Sequence, residues 1–314
     1  MGSVYTRYDA GMRVGISLNS TYAVRDPREG ARRMIERARA ANTAGLDSLF
    51  VGDHHATPIP YYQNTAILGR CLAEWDDRPA GALYLLPLWH PVLLAEQVGT
   101  LASIARGPFI LQCAIGPDDN QFPALGVDAR KRPSRFEQSL AILRQLWSGE
   151  VVSSDGAWSF SEARVSPVPP EPVQVWIGAM ADPAIERAAR LGDGWLASPG
   201  LPPALAAAQL RRYREFCDSL DVAQGTAAIR RDVYVGADAD EAARIGGSVI
   251  DAGYRSFPAG AALAGSIGAI TEAFVELAEM GYSDVIVRNL VADQDHAIAS
   301  IERLAEVRSR VQAA

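Results

Sequence analysis

A chain of 314 residues with 48% hydrophobic content can bury a large core without disulfide staples, and its length suits a one-domain α/β barrel. Its net charge of −7, with lysine and arginine scattered at helical spacing and not gathered in a stripe, argues against nucleic acid and anionic membrane as partners. No run of about 18 apolar residues is present to span a bilayer.

The first residues, 1–11, are polar and lack the apolar stretch of a signal peptide. They read as a disordered extension at the start of a single domain that covers 1–314, and the cytoplasm is the expected compartment. Cys71, Cys113 and Cys217 lie far apart, match no zinc or redox spacing, and are expected to be reduced, buried thiols. RVGISL (Arg13–Leu18) predicts a first strand. Asp26-Pro27 then opens a helix whose apolar stripe runs through Ala31, Met34, Ile35, Ala38 and Ala41, and Gly45 ends it. Strands are expected at 48–52, at 81–88 (apolar throughout but for the Tyr84 hydroxyl) and at 109–115. Pro91 starts one intervening helix, and 134–147 forms the next. Beyond a Pro-rich connection, strands follow at 173–178, 194–197, 232–235 and 284–288. Helices are expected from an Asp182-Pro183 cap, over 203–220, around 240–252, over 267–280 and over 296–311.

Eight strand–helix alternations predict a parallel sheet closed into a (β/α)8 TIM barrel. A doubly wound sheet is the rival, weakened by the lack of a G-x-G-x-x-G after an early strand. The connections 56–72, 117–133 and 236–266 are longer than a barrel needs and fall at its C-terminal face, where barrels build their sites. Segment 148–172, with Trp158 and Phe160, follows a helix and is expected to form a small hairpin.

Three of the four histidines sit at strand ends on this face: His54 and His55 in VGDHH, and His90 in PLWHPV. Adjacent residues leaving a strand point to opposite sides, so at most one of His54 and His55 reaches the barrel axis. A histidine there can exchange protons near neutral pH, and Asp53 can set its tautomer or bind a ligand hydroxyl. A structural hydrogen-bonded cluster or a metal site is the alternative, the latter short of a third ligand at metal spacing. His90 before Pro91 reads as a helix N-cap. Gly178-Ala179-Met180 joins an apolar strand to a helix start and could seat an anion or be a plain tight turn. Arg288 ends the last strand, where a charge meets an anion or an acid partner.

In these motifs the chain resembles the bacterial luciferase-like superfamily, barrel enzymes that use FMN or the deazaflavin coenzyme F420. The resemblance runs through RVGISL, GLDSLFVGDHH, LLPLWHPVLLAEQVGTL, LGVDARKRPSRFEQSLAILRQLWSG, VQVWIGAMADPAIERAARLGDGWL and MGYSDVIVRNL. It implies an isoalloxazine-type ring over the barrel mouth, supported by a non-prolyl cis peptide near Ala82-Leu83 or Leu83-Tyr84. It places the cofactor phosphate at Gly178, Ala179 and Met180, adds Arg288 to the cofactor site, and turns Asp53 and His54 toward cofactor and substrate, with His54 managing protons. Monooxygenation with reduced FMN and oxygen is the first expectation, with a separate reductase supplying the reduced cofactor. Hydride transfer with F420 is the second, since the chain reads Asp-His-His where luciferase-type members more often read Glu-His-His. A non-catalytic flavin-binding barrel and a metal hydrolase on the same fold are further alternatives. The resemblance also implies a homodimer.

Overall fold

The computed structural model describes residues 11–117 and 119–314; all of the expected N-terminal extension except Gly11 lies outside them. Strand β1 (Arg13–Leu18) leads to helix α1 (Pro27–Thr43), β2 (Leu49–Val51) to α2 (Asn64–Cys71), and β3 (Ala80–Leu85) to α3 (Pro91–Ile104). After β4 (Phe109–Ala114) come the short α4 (Gln121–Ala124) and α5 (Arg132–Trp147). The expected hairpin is β5 (Val152–Asp155) with β6 (Ser159–Ala163), and it precedes β7 (Gln174–Gly178), α6 (Asp182–Leu191), β8 (Gly194–Ala197) and α7 (Pro203–Ser219). The chain continues with β9 (Thr226–Val235), the helical turns α8 (Ala239–Ala242) and α9 (Ser248–Asp251), β10 (Ala262–Gly265), α10 (Ile267–Met280), β11 (Asp284–Asn289) and α11 (Gln294–Gln312).

Among the described residues, eight parallel strands close in the order β1, β2, β3, β4, β7, β8, β9, β11, and β11 returns to pair with β1. This is the (β/α)8 barrel. Phe50, Ile110, Trp176, Ala228 and Ile286 form an apolar cluster separate from the larger layer between sheet and helices. Register explains how such large side chains fit inside a small ring. Gly15 lies opposite Ile286, Gly81 sits between Phe50 and Ile110, and Gly194 lies opposite Trp176. A Cβ on Gly194 would come within 2.8 Å of Trp176 Cδ1, so the bare position makes room for the indole. One layer higher, toward the C-terminal face, Gln112, Arg230 and Arg288 join Leu83 and Leu196 at the inward positions.

Several local expectations are corrected. Asn64–Cys71, read as loop, is helical because it buries Ile67, Leu68 and Cys71 on the barrel. Strand β9 starts at Thr226, not Asp232: Arg230 and Arg231 interrupt the apolar pattern, yet the strand pairs through them. β10 was missed because ALAG is short and small; it pairs with the upper half of β9, Ala262 opposite Asp232. Helix α6 is capped by Ala181 with no side-chain bond, and Asp182 is its first residue. Asp26 does cap α1, accepting from the Arg28 N–H, and Gly45 with φ +72° ends that segment. The only cis peptide among the described residues is Ser166-Pro167. The cis bond expected at residues 82–84 is absent: β3 stays in unbroken parallel register with β4 from Ala80 to Leu85.

The crowding makes a prediction. A Cβ at Gly81 would lie 1.9 Å from the Ile110 carbonyl oxygen, whereas one at Gly178 would make ordinary contact, 3.5 Å from Ala114 Cβ. Gly81→Ala should lose about 2–3 kcal/mol in urea denaturation, the upper range for overpacking, while Gly178→Ala stays within about 1 kcal/mol of the parent. Equal stability of the two variants would contradict the packing described.

Candidate active site

The mouth is organised around a carboxylate. Asp53, just past β2, has a side chain with no solvent exposure. The Leu85 N–H and the Trp89 indole N–H both donate to its Oδ2 at 2.8 Å, and the Asn64 amide donates to Oδ1 at 3.3 Å. Asn64 also donates to the Leu83 carbonyl at 2.7 Å. His55 Nε2 lies 3.2 Å from Asp53 Oδ1 without hydrogen-bond alignment, and its ring meets Trp89 edge-on at 5.4 Å. Its backbone N–H donates to Gln121 Oε1 at 2.7 Å. The expected Asp53–His54 partnership is therefore corrected. Alternation along the chain turns His55, not His54, toward the carboxylate.

His54 points the other way. Among the described residues its imidazole makes no hydrogen bond, and it packs on Tyr61, ring centres 5.7 Å apart. Tyr61 is held by an isolated bridge to Thr21, beyond β1. Burial raises its pKa, opposed by the nearby Arg288 guanidinium and a hydrogen bond with Ser20. On the other side of β1 come Arg288 of β11 and Arg230 and Asp232 of β9, with Arg288 and Asp232 opposite in register. Fully buried Asp232 accepts from Arg230 Nε at 2.9 Å and from the Tyr254 hydroxyl at 2.8 Å, and Arg255 Nη1 stands 3.9 Å away. Burial brings the Arg230 pKa down to about 10, so it stays charged at neutral pH. Arg230 and Arg255 thus meet Asp232, and Arg288 lies beside it in register. The mouth is electropositive although the chain is acidic overall.

The other expected residues are dispersed. His90 does hold the N-cap position of α3, without a side-chain bond, and lies 5.3 Å from Trp158 and 5.7 Å from Phe160 of the hairpin. Ala82 and Tyr84 belong to the layer beneath the helices, and by register only Leu83 of that trio faces the ring interior, beside Gln112. Gly178, Ala179 and Met180 lie at the top of β7, three strands round the ring from Arg288. There the Ala179 N–H donates to Leu196 O, and the Trp195 indole donates to Ala179 O at 3.0 Å.

The sequence pattern of the family described as luciferase-like monooxygenase matches residues 12–279. The chain belongs to this family. The luciferase-like chain is 31% identical over 212 residues to the F420-dependent glucose-6-phosphate dehydrogenase of Beutenbergia cavernae, a match covering 60% of this chain and only 61% of that relative. In fold it is similar to monooxygenase RslO1 from Streptomyces bottropensis, with TM-score 0.82, 19% identity, and 94% of this chain and 98% of that one covered. It is also similar to the oxygenating constituent of 3,6-diketocamphane monooxygenase from Pseudomonas putida in complex with FMN, with TM-score 0.79, 17% identity, and 94% and 97% covered. The family is one of flavin- or F420-dependent oxidoreductases.

The luciferase-like mouth fits a flat, hydrogen-bonding ring on its own evidence. Gln112 Nε2 is shielded from solvent and, among the described residues, has no hydrogen-bond partner. It is a polar atom that a planar heterocycle with carbonyl and ring-nitrogen edges would satisfy. Among the described residues, no three His, Cys, Asp or Glu side chains gather as a metal-binding group, and no helix is long and apolar enough to cross a membrane.

Two predictions test this anatomy. Asp53→Asn turns an acceptor into a partial donor before three donors and should cost about 2–3 kcal/mol, with a changed Trp89 emission. Unchanged stability would mean the shell is dispensable. Burial, then Arg135, holds His90 below its ordinary pKa. The unfolded chain consequently binds the proton more readily, so the stability His90 confers is present above about pH 6.5 and is lost as pH falls through the lowered pKa. His90→Asn should flatten the decline of the urea midpoint from about pH 7 to pH 5.

Proposed function

We propose that this luciferase-like protein is an F420-dependent oxidoreductase that interconverts a small alcohol and its carbonyl form. The observation that carries the reading is His54: an imidazole free of hydrogen bonds, placed at the mouth against Tyr61, while the buried acid beside it is occupied by other donors. The deazaflavin, when bound, supplies a site that accepts or returns a hydride. His54 would take the substrate hydroxyl proton as the hydrogen on the same carbon departs with its bonding electron pair, and would return the proton in the reverse direction. Gln112 would hold the ring edge or the substrate oxygen, and the apolar layer of Phe50, Ile110 and Trp176 closes the barrel beneath. The Asp-His-His sequence and the F420-dependent relative support this order over the oxygen reading. The family description and the monooxygenases of like fold favour the second reading, oxygenation of a small organic molecule with reduced FMN.

Fluorescence titration with F420 and with FMN, oxidised and reduced, separates the two. F420 should bind and FMN should not. With a panel of secondary alcohols and phosphorylated sugars, His54→Ala should keep F420 affinity and lose about 10²-fold or more in turnover. Exclusive FMN binding with substrate-dependent oxygen uptake would overturn the hydride reading, and near-normal turnover of His54→Ala would remove that residue from proton handling.

A further inference from the structure

Beside the mouth, between the segment that follows β1 and the one that follows β11, lies a cavity of about 390 Å³. That volume is enough for a headgroup and a few carbons, within the ordinary range of small-molecule pockets. Its walls include Asn19, Tyr22, Arg37, Tyr254, Arg255 and Arg288. Two features mark it as built for a ligand. The first is charge: Arg37 is tied to Gln294 and the Ala292 carbonyl, but among the described residues Arg288 has no hydrogen bond or ion pair, and Arg255 reaches Asp232 only at 3.9 Å. The second is a set of unpartnered polar atoms. The Tyr22 hydroxyl belongs to a residue only 5% exposed and has no partner; Asn19 Oδ1 and Arg288 Nε are likewise buried and unpaired. A polar atom withheld from water without a partner is destabilising. Such atoms lining one cavity point to a missing occupant.

The arm that brings Arg255 there is itself constrained. Gly253, Arg255 and Ser256 adopt left-handed backbone, φ 86°, 49° and 53°. Side chains rarely take that conformation, and it persists where the surroundings impose it. Here the Tyr254 hydroxyl anchors on buried Asp232, leaving the half-exposed Arg255 guanidinium beside the cavity.

We propose that this cavity is the subsite for an anionic group of the substrate, a carboxylate or a phosphate, gripped by Arg288 and Arg255. This rests on the oxidoreductase reading and names the substrate class for it. Guanidinium groups match the planar fork of a carboxylate or the edge of a phosphate. The Tyr22 hydroxyl donates to an anion without competing for its charge. Position assigns the anion to substrate and not to cofactor. The cavity opens between β11 and β1, on the side of Tyr61 and His54, whereas the turn 178–180 lies across the ring at the top of β7. Tyr61 touches His54 and feels the charge of Arg288, so a short molecule can place its hydroxyl at His54 with its anion at Arg288.

The test uses the full chain, alone and with saturating F420. Thermal unfolding is followed against inorganic phosphate and against acetate, at ionic strength held constant with potassium chloride. Saturable stabilisation by one or both anions is expected, and which one acts tells phosphate from carboxylate. Arg288→Met and Arg255→Asn should each weaken the apparent affinity by about tenfold or more, the scale of a lost charge-assisted hydrogen bond, while F420 affinity stays within about twofold. Asparagine tolerates left-handed backbone, so the second variant keeps the fold if the first does not. Stabilisation by neither anion, equal stabilisation of parent and both variants, or competition between the anion and F420 would each overturn the proposal. Arginine-dependent anion binding without F420 binding would leave the subsite standing and remove the hydride reading.

Discussion

A carboxylate stripped of water is tolerated inside a protein only when donors surround it, and Asp53 is where this barrel meets that requirement. The main-chain N–H of Leu85, the indole of Trp89 and the amide of Asn64 converge on it from the end of β3, the turn before α3 and the start of α2. Asn64 binds the Leu83 carbonyl as well, so the ends of β2 and β3 and the helix between them share one polar node. The mouth depends on that node. It draws His55 inward and so leaves His54 outward, and it holds the segment leading to Tyr61 against the rim.

Two layers of the ring do different work. The lower layer is filled by alternating large side chains and glycines, Phe50–Gly81–Ile110 and Trp176–Gly194, and makes a plug. The layer above swaps apolar contact for Gln112, Arg230, Asp232 and Arg288, which the plug keeps on one side of the barrel. Burial makes these polar groups costly and also strengthens their fields. Electrostatic recognition and proton transfer concentrate at this rim for that reason.

The third part of the site comes from insertions. β9 runs past the ring and takes β10 as a side strand, and the connection between them carries Tyr254 and Arg255 back to Asp232. The hairpin β5–β6 has another purpose. It brings Trp158 and Phe160 onto His90 and Arg135 over the Trp158 ring at 3.7 Å, closing the layer under α3 and α5 rather than joining the mouth.

Much of the fold was legible in the chain. Apolar runs alternating with helical stripes, Asp26-Pro27 and Gly45 around α1, and the position of VGDHH after a strand are local signals, and local propensity and patterning read them directly. Part of the site was hidden for definite reasons. RRD inside TAAIRRDVYV looks like a break in a strand, because a sequence does not show that Arg230 and Asp232 face each other's charge within a ring. The roles of Asn64 and Trp89 were hidden too, since they depend on a carboxylate 11 and 36 residues away in the chain. By itself, then, the sequence determined the alternation that closes eight strands and the motifs that mark the family. Only the tertiary structure decided which histidine Asp53 faces, that three arginines meet at one rim, and that a cavity opens beside them. Those outcomes follow from register and burial, which bring together groups as far apart in the chain as Asn19 and Arg288.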